Sequence, residues 1–302
     1  MTESISHQPA PAPPDLAPAP AGLATEITAQ LSTQLGRVRL HGFRRPRPAP
    51  AEAAPTLVAV AHGSRDPRAL HTVRALLDRV RALRPGLPVR LGHIELNRPL
   101  LSDTLAELRG EAVLVPLLFG HGYHVTHDLP AALAAAPHLS GRTAAPLGAH
   151  PLLAEALHAR LLEAGFPQAP ARRRTAVVLA SAGSKAAQSA RDIAHIAGLL
   201  SARLDEVPVL PAYASAATPT IPEAVRLLTA RGHDRIAVAS CFTAPGRFAA
   251  QCAAHAPGTA AAPLGDHPAL ARLVLHRYDE ARARTHGRTP HRTADQALLA
   301  RT

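Results

Sequence analysis

The chain has 302 residues, 47% of them hydrophobic, a formal charge of +11 and 3% aromatic content. That length predicts one large or two modest domains with real cores, and the shortage of aromatic rings leaves little for a base-stacking surface, so the mild basicity points to a small anionic ligand and away from nucleic acid. Cys241 and Cys252 are too few for a disulfide framework or a four-cysteine zinc site, which predicts a reducing, cytoplasmic setting. No apolar run approaches the ~20 residues of a membrane span, and the Pro- and Ala-rich start lacks the basic and apolar regions of a signal peptide.

Residues 1–54 read as a disordered Pro/Ala-rich tail, with a short helix possible near Thr25–Leu35 and basic Arg44, Arg45 and Arg47 solvated. Leu57–Ala61 is a run of five apolar residues, the pattern of a strand buried on both faces. It stops at His62-Gly63-Ser64, and Asp66-Pro67 then suits the cap and first position of a helix. That helix spaces Leu70, Val73, Leu76, Leu77, Val80 and Leu83 at three and four and ends at Pro85-Gly86. A second strand is predicted at Pro88–Ile94, a helix at 99–108, a third strand at 112–118, an Ala-rich helix to about Ala136, a short strand at 142–146 and a closing helix at 150–164. Strand-helix alternation of this kind means a parallel sheet with right-handed crossovers.

The pattern then restarts. TAVVLASAGS at 175–184 repeats the strand and turn, 235–240 repeats the third strand, and PLGAHPLLAEAL at 146–157 echoes PLGDHPALARLV at 263–274. This predicts an internal duplication: a first domain at 55–165, a linker at 166–174, a degenerate second domain at 175–283 and a flexible tail at 284–302. Aligned on the Gly-Ser turns, His62 falls opposite Ala182, Glu95 near Ala214, and His121 and His124 opposite residues such as Ala244, Arg247 and Phe248. The second half keeps the apolar frame and lacks the polar groups at its strand ends. It reads as a scaffold. His150 and His267 occur in both halves, as structural residues of the corner would.

In a strand order of 2-1-3-4, the winding of the sheet reverses between the first and third strands, where α/β sheets place ligands. His62 follows the first strand, and the segment from Gly120 to His124 follows the third; Glu95 ends the second. Two or three imidazoles and a carboxylate suit a divalent Co, Fe or Ni ion, with positions left open for a substrate. A histidine phosphatase would carry Arg where Ala61 stands; the G-x-S-x-G of an α/β-hydrolase is absent, and SAGSK lacks the upstream Gly of a phosphate-binding loop.

LVAVAHGSRDPRA, IELNRP, VPLLFGHGYHVTHDLP and PLGAHPLLAEAL together resemble the sirohydrochlorin chelatases of the CbiX/SirB type, class II chelatases that insert Fe2+ or Co2+ without a nucleotide. The resemblance implies a bilobal, ferrochelatase-like pair of flavodoxin-like α/β domains, a tetrapyrrole in the cleft and a monomer acting as a pseudo-dimer, with no membrane partner. It implies that His62 and His124 bind the metal, with Glu95 as the acidic group and His121 as a weaker candidate; Ni2+ would suit the same donors. Arg65, Arg68 and Arg98 are candidates for the substrate carboxylates, and Gly120 and Gly122 for close approach of the backbone to a flat ligand. The alternative is a metal- or tetrapyrrole-binding chaperone on the same fold.

Overall fold

A computed structural model describes residues 54–168 and 173–286. The tails expected at 1–54 and 284–302 and the middle of the linker lie outside the described residues, except for Ala54 and for 284–286, where the last helix continues.

Two parallel sheets form. The first contains β1 (Thr56–Ala61), β2 (Val89–His93), β3 (Gly110–Pro116) and β4 (Leu139–Thr143) in the order β2-β1-β3-β4. The second contains β5 (Thr175–Ser181), β6 (Val209–Tyr213) and β7 (Arg235–Ser240) in the order β6-β5-β7, and a single bridge from Val238 to Ala260 stands where a fourth strand would be. The crossovers are α1 (Pro67–Leu83), α2 (Leu101–Glu107), α3 (Leu129–Ala134), α4 (Pro151–Glu163), α5 (Ala187–Arg203), α6 (Ile221–Ala230), α7 (Arg247–Ala254) and α8 (Pro268–His286).

The strands are apolar on both faces because both are covered. Along β1, Leu57, Ala59 and Ala61 face one core, and Val58 and Val60 pack with α2 and α3 in another. The first core is continuous between the sheets: it joins Val113 and Val115 of β3, Leu76 and Leu77 of α1, Leu157 of α4, Val177 of β5, Ile196 of α5 and Leu273 of α8. A layer of four helices thus lies between the sheets, with α2 and α3 outside one and α6 and α7 outside the other. Each closing helix reaches across: α4 packs on α5, α8 and β7, and α8 packs on α1 and β3.

The PLG-x-HP corners explain this reciprocity. Arg160 of α4 donates to the Leu264 carbonyl at 3.1 and 2.8 Å, and Arg277 of α8 donates to the Leu147 carbonyl at 3.3 and 2.8 Å. Gly148 and Gly265 turn with φ of 54° and 62° beside the incoming guanidiniums. His150 and His267 accept from Leu152 N and Ala269 N at 3.1 and 3.2 Å, capping the helix starts. Both histidines are structural, as expected.

The fourth strand sits three residues earlier than the predicted 142–146. Its pairing ends when Ala144 N donates to Leu114 O, and Pro146 has no N–H to continue the ladder. Asp66 caps α1 through Arg68 N at 2.9 Å with Pro67 in the first position, as its sequence predicts.

Candidate metal-handling site

Backbone hydrogen bonds at the sheet edge set the site. Ile94 N donates to Ala61 O, and Glu95 N to His62 O at 3.0 Å, so the chain leaving β2 runs alongside the chain leaving β1. The turn between them is tight: Gly63 has φ of 104°, and a Cβ there would overlap the Glu95 carbonyl oxygen. Only glycine suits that backbone. Ser64 N donates to Asn97 Oδ1 at 2.7 Å, and Asp66 N to Ser64 Oγ at 3.1 Å, which fixes the direction in which His62 leaves the strand.

The loop after β3 supplies the second imidazole. His124–Asp128 forms a π-turn leading into α3, closed by the Leu129 N–H on the His124 carbonyl. Such turns are rare, and they aim side chains that a regular helix would carry elsewhere. The His62 and His124 rings stand with centroids 4.8 Å apart, edge to face at 86°. His124 Nδ1 is 2.6 Å from Asp128 Oδ2. A carboxylate there makes Nδ1 the protonated nitrogen and leaves the Nε2 lone pair for a ligand. His62 Nδ1 lies 3.3 Å from the Gly63 carbonyl and 3.6 Å from Glu95 Oε1. Both neighbours are acceptors, so His62 also keeps its proton on Nδ1 and offers Nε2.

Among the described residues, no group of three or more His, Cys, Asp or Glu side chains gathers into a metal cage. The arrangement is a pair of imidazoles with Glu95 beside one of them. An open, two-nitrogen site of this kind can take up a divalent ion and release it, whereas a closed site would retain it.

The remaining predicted residues are distributed differently from expectation. His121 is engaged elsewhere: Asp192 of α5 accepts from its backbone N–H at 2.8 Å and pairs with its Nδ1 at 2.9 Å. Burial pushes the Asp192 carboxyl up, but these two bonds and the Gln188 amide outweigh it and hold the group below the usual carboxylate range. Gly120 and Gly122 face the second half: Cβ atoms there would lie 2.9 Å from Ser189 Oγ and 3.5 Å from Ser184 Oγ. Their smallness lets the halves meet. Arg68 is bonded to both Asp66 oxygens at 3.0 and 2.7 Å, and Arg98 to Asp103 at 2.6 Å. Arg65 is exposed. The Glu95 counterpart is Ser215, whose N–H bonds Ala182 O as Glu95 bonds His62 O, one residue beyond the expected Ala214.

Two residues that sequence reasoning missed are Asp128 and Asp192. Asp128 was visible as a carboxylate four residues after His124 on one helical face; Asp192 lies 71 positions from its partner, with no local pattern linking them. The cysteines are buried, and burial pushes the Cys241 thiol up to about 12 and that of Cys252 to about 11. Among the described residues, no helix is long and apolar enough to cross a membrane.

A family model named CbiX matches residues 56–164 and again 176–281. The sirohydrochlorin cobaltochelatase of Methanosarcina acetivorans is 28% identical over 123 residues, 36% of this chain and 95% of that protein. Among solved structures, SirB from Bacillus subtilis with Fe3+ superposes with a TM-score of 0.63 at 22% identity, over 77% of this chain and 97% of that one. The sirohydrochlorin chelatase SirB from Bacillus subtilis subspecies spizizenii in complex with cobalt gives 0.60 at 20% identity, with the same coverage.

Proposed function

The chain belongs to the CbiX family, whose model matches both of its halves, and on that footing we propose that it is a sirohydrochlorin chelatase, inserting Fe2+ or Co2+ into the metal-free macrocycle with no nucleotide. The observation that carries this reading is the His62–His124 pair, two imidazoles 4.8 Å apart with their Nε2 atoms free.

The reaction exchanges one divalent cation for two pyrrolic protons. The metal is a substrate. Neutral imidazoles bind it through Nε2 lone pairs, and the same lone pairs, once the metal has left, can accept the protons that the macrocycle releases. Asp128 holds the His124 ring in place while charge moves at Nε2. Glu95, with its carboxylate half-exposed 3.6 Å from His62 Nδ1, stabilises a protonated His62 and passes the proton to solvent. The first half, 55–165, carries this chemistry. The double family match and the reciprocal corners support an internal duplication in which the second half, 175–283, lost the metal-binding histidines and the chain works as a monomeric pseudo-dimer. The buried free cysteines fit a cytoplasmic setting. The metallated product is of the kind used for sirohaem or cobalamin.

The test mixes purified protein, sirohydrochlorin and Co2+ or Fe2+ under anaerobic conditions and follows the change in the macrocycle absorbance. Acceleration over the protein-free rate is expected. Binding of metal or macrocycle with no acceleration would replace the enzyme with a carrier.

A further inference from the structure

The second half is more than a support for the first. The two halves meet reciprocally at their turns: Gly122 abuts Ser184, and a Cβ on Gly246 would lie 3.2 Å from Ser64 Oγ. The residue after Ser184 is Lys185, the only lysine in the chain; the residue after Gly246 is Arg247. Lys185 therefore stands beside the loop that carries His124, and Arg247 beside the turn that carries His62. Both are exposed, and neither has a carboxylate partner among the described residues.

Arg247 is also held in a defined pose. Its guanidinium lies over the Phe248 ring, 4.8 Å from the centroid. A cation–π contact of this kind restrains the guanidinium and leaves its N–H groups available to a ligand. The hydrogen bonds Leu117 N to Val60 O and Cys241 N to Ala180 O put the two loops in register, so Arg247-Phe248 occupies the place of Tyr123-His124. Where the first half carries a metal-binding imidazole, the second carries an aromatic seat for a cation. Two of the three arginines expected to bind carboxylates from the first half contrast with it: Arg68 and Arg98 are already bonded to Asp66 and Asp103, while Arg65 is exposed.

We propose that Lys185 and Arg247 bind peripheral carboxylates of the anionic macrocycle, so that the second half orients the substrate while the first presents the metal. This rests on the chelatase reading. An unpartnered guanidinium gains a bidentate carboxylate without breaking an existing pair, and the two cations come from different turns of the second half, which fits a ligand with several acidic arms.

The experiment titrates metal-free sirohydrochlorin into wild type and into Arg247→Gln, Arg247→Lys, Lys185→Gln and the Lys185→Gln/Arg247→Gln double variant, following absorbance. Arg226→Gln on the outer helix α6 is the control. Each glutamine variant is expected to raise Kd about three- to tenfold, the scale of one partly solvated charged contact. The double variant should lose more and show a weaker dependence on salt, and Arg247→Lys should restore part of the affinity. Co2+ binding without the macrocycle should stay within about twofold, and so should sirohydrochlorin binding by the control. Unchanged Kd values in the variants of a wild type that inserts metal would overturn this assignment and leave the chelatase reading intact. A wild type that neither binds sirohydrochlorin nor metallates it would remove both.

Discussion

Replacing Asp128 separates orientation of the proposed metal site from its composition. Its Oδ2 is 2.6 Å from His124 Nδ1, and in the proposed function His124 supplies one of the two nitrogens offered to the ion. Asp128→Ala leaves both imidazoles in place and frees the His124 ring to rotate or to move its proton to Nε2. Loss of such a supporting group costs about 10- to 100-fold in metal affinity or activity, or ~1.4 to 2.7 kcal/mol. Asp128→Asn keeps an acceptor and removes the charge, so about tenfold is expected. The fold should hardly notice: both partners are about one-third exposed, and an i,i+4 pair of that kind is worth about 0.5 kcal/mol. Anaerobic insertion assays over a range of Co2+ concentrations read the effect as a raised KM for the metal or a lowered kcat, with KM for sirohydrochlorin unchanged. An Asp128→Ala protein within twofold of wild type in both constants would refute the idea that this carboxylate sets the imidazole.

His62→Ala and His124→Ala should each lower insertion at least ~10²-fold, the scale of a lost catalytic base, while their thermal midpoints stay near that of wild type. Gly183→Ala should destabilise by about 3 kcal/mol, because φ is 91° and the new Cβ would overlap the Ser215 carbonyl oxygen; chemical denaturation reads it directly. Burial first, then Arg160, pulls His267 below its ordinary value of 6.5, so the unfolded chain binds the extra proton. Stability should therefore be full above about pH 6.5 and fall as the pH drops toward the lowered folded value. His267→Asn, which keeps a cap acceptor that does not titrate in this range, should flatten that slope in thermal melts.

The architecture of the first sheet was legible because its strands are buried on both faces and its helices on one. Leu57–Ala61 and the α1 spacing admit one reading, and alternation then fixes a parallel sheet. Strand ends were less legible: the pairing of β4 depends on which Leu114 and Ala144 groups meet, and the local pattern at 139–146 is too weak to place it. At the candidate site, the contrast of His62 with Ala182, and of His121 and His124 with residues such as Ala244, Arg247 and Phe248, singled these histidines out, and the fold brings the His62 and His124 rings together. The π-turn was not legible, since it has no periodic signature in sequence. Nor was the capture of His121 by Asp192, which depends on how the two halves dock. The Arg-x-x-Glu echo at 160–163 and 277–280 was present in the repeat, but its meaning lies in carbonyls on the opposite half, at Leu264 and Leu147.

That exchange of closing helices has a consequence for how the chain is held together. With α4 seated on β7 and α8 on β3, part of each half's inner face is covered by the closing helix of the other. A chain severed between Gln168 and Arg173 should yield two fragments that are insoluble or self-paired alone and that reconstitute when mixed. In the intact molecule the connecting segment acts as a tether, supplying a local concentration of about millimolar for a short link. Cutting it would make stability rise and fall with protein concentration, as for any obligate pair of subunits.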